Sequence, residues 1–276
     1  MSGIRPRKEI PMRTFRRPAL ALACLFALAG AARSAEPDPN EASYKWRVPD
    51  GRTHVLWVGG GHWHDTLRTT AILRQALEGG GRFHLTYTED TGTLGRLKPY
   101  DAIVLNGMLA SMVPEEEQGL LAAIRAGKPL LVLHAASASF RRPPPAKKDD
   151  PVAGHPEFYR MLGGYVEHHP PFGPVHVRVI APGHPVTQGL AGFEIEDELF
   201  LFRNLEPDNE VLLETDFEGT KRPLAWARRW GEGRVLHIAL GHGAKAAGNP
   251  AFQRLVMQGL AWLTGQPVQT PAAAVK

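Results

Sequence analysis

What most restricts the fold open to this chain is a rhythm that begins near His54. Short apolar runs alternate with segments of helical period, and glycines separate them. Val55-Leu56-Trp57-Val58 is apolar at every position and is followed by Gly59-Gly60-Gly61. A run this short, without alternation, predicts a strand covered on both faces. Residues 66–78 place apolar side chains four apart, Leu67 with Ala71, Ile72 with Ala76 and Leu73 with Leu77, and end at Gly79-Gly80. That spacing predicts a helix with a glycine stop. Phe83–Tyr87 alternates as a second strand, Ala102–Leu105 reads as a third and Leu130–Leu133 as a fourth. Between the last two, Pro114 and the acids Glu115, Glu116 and Glu117 open a helix that carries Leu120, Leu121 and Ile124 and stops at Gly127. Proline suits a first helical turn, and acids there oppose the positive end of the helix dipole. Strands alternating with helices predict an α/β fold with a mostly parallel central sheet between two helical layers.

Residues 140–174 interrupt the rhythm with Pro143-Pro144-Pro145 and a cluster of bases, and are expected to form a long excursion with a short helix near Pro156–Leu162. The chain then becomes strand-rich over Val175–Ile180, Val211–Leu213, Leu224–Ala227 and Arg234–Leu240. Asn249-Pro250 caps a last helix with Phe252, Leu255, Val256, Leu260 and Leu263 on one face. One domain over 53–265 fits this order best, because the late strands and helix can complete the early sheet. Residues 36–52 and 266–276 read as polar tails.

The formal charge of +4 would raise the question of a nucleic-acid partner, but its position answers it. Residues 1–35 hold seven bases against Glu9 alone, a charge of +6, so the rest of the chain carries −2. The same segment has bases up to Arg16-Arg17, an apolar run from Ala19 to Ala29 and then Gly30-Ala31-Ala32. This is the layout of a signal peptide, with an apolar stretch too short to span a bilayer. Cleavage near Ala32 or Ala35 is expected, with a periplasmic or secreted product that keeps no stable membrane insertion. Cys24, the single cysteine, leaves with that leader. The mature chain then has no disulfide, thiolate ligand or thiol nucleophile.

Ligands of a parallel α/β sheet gather outside the carboxyl ends of its strands. There the sequence places Gly59–Gly61 with His62, Trp63, His64 and Asp65, then Asn106-Gly107, then His134-Ala135-Ala136-Ser137, then Gly241-His242-Gly243. Three of these four ends carry histidine, from a total of 12 in the chain. The glycine run fits neither a dinucleotide fingerprint, whose sixth position is His64 here, nor a phosphate loop, which needs Gly-Lys-Ser/Thr. His62 and His64 share a face if the loop is extended. With His134, His242 and a carboxylate they offer enough nitrogen and oxygen donors for zinc or manganese. Without a metal the same groups serve as general acid and base. Glu198, in the acidic run Glu196-Asp197-Glu198, is the candidate carboxylate; a solvated turn is the plainer reading of that run. Trp63 can stack on a sugar ring. Ser137 lacks the Gly-x-Ser-x-Gly elbow of a hydrolase nucleophile.

These segments, in order, resemble the ThuA-like family, named for trehalose utilisation. The resemblance rests on VLWVGGGHWHD (55–65), YDAIVLNG (100–107), GKPLLVLHAASASF (127–140), PEFYRMLGG (156–164), HHPP (168–171), GHPVTQGL (183–190), DELF (197–200), PLAWARRWGEGRVLHIALGH (223–242) and NPAFQRLVMQGLAWL (249–263). It implies a flavodoxin-like, class I glutamine amidotransferase-like three-layer sandwich. Relatives with that fold carry a cysteine at the turn after the strand equivalent to 130–133, where His134 or Ala135 stands here, so thiol chemistry does not carry over. The resemblance further implies a small carbohydrate substrate, a disaccharide or glycoside oxidised to its 3-keto form. The positions matching the family are His62, His64, His134, His169, Glu198 and His242. On this reading His134, Glu198 and His242 are catalytic, and Trp63, Asn106 and His169 bind substrate. His62 and His64 hold a divalent metal, zinc or manganese, with His134 and His242 as further ligands. The competing reading is a sugar-binding or scaffold domain that kept the fold without the chemistry. The sequence leaves the oligomeric state open, a homo-oligomer included.

Overall fold

Burial on both faces turns the apolar runs into strands. The computed structural model describes residues 51–61, 63–140 and 155–268. The leader with Cys24, most of the N-terminal tail, His62, part of the proline-rich excursion and the end of the C-terminal tail lie outside the described residues. Strands β1 (Thr53–Val58), β3 (Ala102–Leu105) and β4 (Leu130–Leu133) form where the unbroken apolar runs stand, and the alternating run forms β2 (Phe83–Thr88). β11 (Gly233–Ile238) joins them, giving five parallel strands in the order β2-β1-β3-β4-β11.

Side-chain alternation splits the core between the two faces of this sheet. Val55 and Trp57 of β1 and Leu131 and Leu133 of β4 pack with helices α1 (Thr66–Gly79) and α5 (Pro250–Leu263) through Leu73, Leu77, Phe252 and Leu260. Leu56, Val58, Leu130 and Val132 face the other way. They meet Leu120, Leu121 and Ile124 of α2 (Pro114–Arg125) and Phe158 and Leu162 of α3 (Pro156–Leu162). The layers are therefore helix, sheet, helix, and each strand is apolar throughout because each face has a partner. Caps fix the helix starts: Asp65 accepts from Arg68 N (3.1 Å), and Asn249 from Ala251 N (3.0 Å) and Phe252 N (3.2 Å).

The sheet does not end at β11. Four more strands continue it antiparallel: β10 (Thr220–Trp230), β9 (Glu210–Phe217), β6 (Gly173–Val179) and β7 (Phe193–Asp197), in that order. β5 (Tyr165–His168) and β8 (Leu201–Arg203) make a separate antiparallel pair. The sequence reading places β6, parts of β9 and β10, and β11, but not β5, β7 or β8. Those three are short, and β7 turns only Ile195 and Asp197 inward among acids, so no apolar period announces it. A short helix α4 (Ala244–Ala247) follows β11. Among the described residues no helix is long and apolar enough to cross a membrane.

The ends of β1 and β3 touch through glycine. A Cβ on Gly107 would lie 2.5 Å from both Gly59 C and Gly60 O. Backbone on both sides leaves nothing soft to move, so Gly107→Ala is expected to lower stability by about 3 kcal/mol, the upper range for overpacking. A urea-unfolding midpoint equal to that of the parent would show that the two turns separate more freely than their packing indicates.

Candidate functional site

Four turns at one end of the sheet deliver the site, and three of them have their own backbone device. After β1, Gly60 and Gly61 both adopt φ of +100°. A Cβ on Gly61 would stand 2.4 Å from Met108 O, so only glycine fits. Thr66 Oγ1 accepts from Gly60 N (2.9 Å), and the loop then presents His64 ahead of α1. After β4 a 3₁₀ turn spans His134–Ala138. His134 itself takes φ of +34°, a left-handed backbone uncommon for a residue with a Cβ. The special position that the sequence left between His134 and Ala135 is thus His134. Beyond β11, Gly241 takes φ of +118° and His242 follows. Glu198 follows β7 directly.

These four side chains meet. Glu198 Oε2 lies 3.4 Å from His134 Nε2, 3.4 Å from His242 Nδ1 and 3.8 Å from His64 Nε2. One nitrogen or carboxylate oxygen from each of His64, His134, Glu198 and His242 lies within 4.8 Å of all the others. The three imidazoles stand nearly edge to face, with centroids 4.7 Å (His64–His242), 5.1 Å (His64–His134) and 5.3 Å (His134–His242) apart. His169 Nδ1 lies 3.0 Å from the other oxygen, Glu198 Oε1.

Hydrogen bonding fixes what His134 offers. Its Nδ1 lies 2.8 Å from Ala239 O, and a carbonyl can only accept, so Nδ1 carries the proton. In the neutral ring Nε2 then presents a lone pair toward the cluster. Phe200 stacks on the ring at 4.2 Å and 18° and holds its plane. His134 Nε2, His242 Nδ1 and both ring nitrogens of His64 are buried and have no hydrogen-bond partner among the described residues. Burial alone would raise the Glu198 pKa, but the imidazoles of His134, His242 and His64 outweigh it and hold the carboxyl well below its ordinary range. Burial lowers the His64 pKa against the pull of Glu198. Glu198 raises His242.

Asp197, which the sequence reading passed over as a functional residue, organises this arrangement. It is fully buried, and its carboxylate accepts Glu198 N (2.8 Å), His242 N (3.0 Å) and Gly241 N (2.7 Å). The backbone on which two cluster residues stand is therefore tied to one carboxylate. The other candidates separate. Trp63 is exposed beside His64. Asn106 was expected to bind substrate, but it is buried and its amide nitrogen faces Thr69 Oγ1 (3.4 Å) and Thr70 Oγ1 (3.2 Å) of α1. Its polar group joins β3 to that helix. Ser137 is fully buried against His237, Oγ to Nε2 2.7 Å, so its hydroxyl has no surface for a substrate to approach. Burial, then the neighbouring His134, push the His237 pKa down to about 3, and its ring stacks on Trp226 at 3.9 Å. That neutral pair is core.

A family model described as ThuA, trehalose utilisation, matches residues 52–263. This chain belongs to the ThuA family. Among solved structures, ThuA-like proteins from Bacteroides uniformis and Parabacteroides merdae are similar to it, with TM-scores of 0.63 and 0.64 at 20% and 22% identity. Each likeness covers 79% of this chain and 92% of the other. A β-galactosidase from Bacillus circulans matches with TM-score 0.56 at 12% identity, over 80% of this chain and 32% of the enzyme. At these identities the likeness shows the fold, a flavodoxin-like, amidotransferase-like α/β sandwich. No curated protein matches. Membership in the ThuA family relates the chain to trehalose utilisation.

Proposed function

We propose that this ThuA-family chain is an exported enzyme acting on 3-keto glycosides or disaccharides, with a divalent metal held by His64, His134, His242 and Glu198. The observation that carries the reading is that buried imidazole nitrogens of His64, His134 and His242 have no partner among the described residues, while one donor atom from each ring and from Glu198 all lie within 4.8 Å of one another. Buried polar atoms normally find partners, and leaving several unpaired around a carboxylate is costly. A cation at their centre would satisfy one nitrogen of each ring together with the carboxylate. Imidazole nitrogens with one carboxylate suit zinc or manganese better than magnesium or calcium. The proton that His134 keeps on Nδ1 toward Ala239 O is the usual arrangement for a ligating histidine, orienting the ring and leaving Nε2 free to bind.

A bound divalent ion supplies Lewis acidity that would polarise a sugar carbonyl. The protein's own groups do the rest. Glu198, kept ionised, is a carboxylate beside that carbonyl. His169, half exposed and in contact with Glu198 Oε1, stands at the rim where it can hold a proton for a sugar hydroxyl. Trp63 offers a ring face to the substrate. With Asn106 turned into the core, the substrate contacts reduce to Trp63 and His169.

The test is turnover of 3-keto-trehalose and related keto glycosides by protein lacking residues 1–35. It would be stripped by chelator and reconstituted with zinc or manganese. Activity that falls with chelation and returns with one metal supports the reading. Sugar binding without turnover in every metal state would establish the scaffold alternative instead.

A further inference from the structure

The end of the sheet away from the histidines carries a second concavity. The 3₁₀ turn Thr91–Gly95 and the residues 96–100 that lead into β3 stand against α2, and they enclose a cleft of about 470 Å³. Arg96, Lys98 and Lys128 line it, and none of the described residues in its walls is acidic. Leu97 and Tyr100, both buried, add apolar surface. Glycines bring the two walls together: a Cβ on Gly119 of α2 would lie 3.2 Å from Gly95 Cα and 3.3 Å from Leu94 O. That close packing sets the shape of the cleft before any ligand arrives, so little ordering is lost on binding. Tyr100 and Lys128 precede β3 and β4, whereas His134 follows β4. About 13 Å of strand therefore separates the cleft from the histidine cluster.

Two of the three cations lack a counter-charge at contact distance. The ammonium of Lys128 is partly buried and donates to Tyr100 O, a neutral acceptor. Burial pushes its pKa down, opposed by the more distant Asp101, whose Oδ2 accepts His54 N at 2.8 Å. Among the described residues neither Lys128 nor Arg96 has an ion-pair partner. We infer that this cleft is a binding site for a small organic phosphomonoester. Such a group carries close to two negative charges at neutral pH, which several cations in one cleft match better than they match a single carboxylate. Arg96 offers a planar fork for two phosphate oxygens and Lys128 a point charge. The volume falls in the range of small-molecule sites, roughly 300–1,000 Å³, and exceeds what phosphate alone fills. Leu97 and Tyr100 are left for the organic body. Neither the metal nor the keto-glycoside chemistry enters into this assignment.

The experiment uses chelator-stripped full-length protein, so that phosphate cannot bind through a metal, and a probe that is not a sugar. Phenyl phosphate, inorganic phosphate and succinate are titrated at constant ionic strength, with affinities read by calorimetry. The parent is expected to bind phenyl phosphate at least about tenfold more tightly than either of the others. Arg96→Gln and Lys128→Gln are each expected to weaken phenyl phosphate by about tenfold or more, as loss of a charge-assisted contact requires. Lys128→Gln also gives up the tie to Tyr100 O, so Arg96→Gln, at an exposed position and with an unchanged urea midpoint, decides the matter. Inorganic phosphate or succinate binding as tightly as phenyl phosphate overturns the assignment, and so does an Arg96→Gln variant that keeps the parent's affinity.

Discussion

Glu198→Gln is expected to weaken zinc binding by at least about a hundredfold while leaving the fold of the metal-free protein in place. The oxygen that this change neutralises or replaces is the one nearest all three imidazoles, at 3.4, 3.4 and 3.8 Å. Glutamine has the same shape, so packing is conserved, but it brings no charge and can turn N–H groups toward nitrogens that need a cation. Loss of a residue that merely orients a ligand costs about 10–100-fold in metal affinity, and loss of a ligand should exceed that. Competition against a chromophoric chelator measures the constant. Equal zinc affinity in parent and variant would remove Glu198 from the metal site and return it to a purely acid–base part.

The second large effect belongs to Asp197. Asp197→Ala is expected to cost about 3–5 kcal/mol in stability, because the buried N–H groups of Glu198, Gly241 and His242 would lose one shared charged acceptor. A structural role alone predicts only that loss. The placement of two cluster residues on this carboxylate predicts more. Asp197→Asn, which keeps the shape and one oxygen, should fold and yet bind zinc about tenfold more weakly. Urea midpoints and zinc titrations on both variants separate the two. If Asp197→Asn binds zinc as tightly as the parent, Asp197 holds the fold together without positioning the site.

The parallel half of the fold is legible in the sequence because its strands are buried on both faces, which writes an unbroken apolar run at β1, β3 and β4. The helices announce themselves by period and by Gly79 and Gly127 at their ends. The antiparallel half is less legible. β7 and β5 bury too few residues to leave a pattern, and β8 is three residues long. The same physics divides the site. His64, His134 and His242 follow strands that can be seen, so the rule about strand ends finds them. Glu198 follows a strand that cannot be seen, and it was reached through the DELF segment and the family resemblance. Asp197 was missed because all three of its partners are backbone N–H groups, two of them 44 and 45 residues away, which no side-chain pattern encodes. Asn106 shows the limit of the strand-end rule: it stands at the right place in the chain, but its amide turns to the threonines of α1.

The strand order puts β7 last, at the edge of the sheet, yet the residue that closes it grips the turn after β11 in the sheet's interior. Asn249 adds a second tie, donating to the β7 carbonyl of Glu194 at 3.0 Å. An edge strand is otherwise an open template onto which another chain can add by backbone pairing. Here the polypeptide just beyond β11 is clamped against β7, with the clamp passing through the same carboxylate that sets the cluster. Damage at the centre of the molecule should therefore surface at its margin, as self-association through a strand that the intact centre keeps closed.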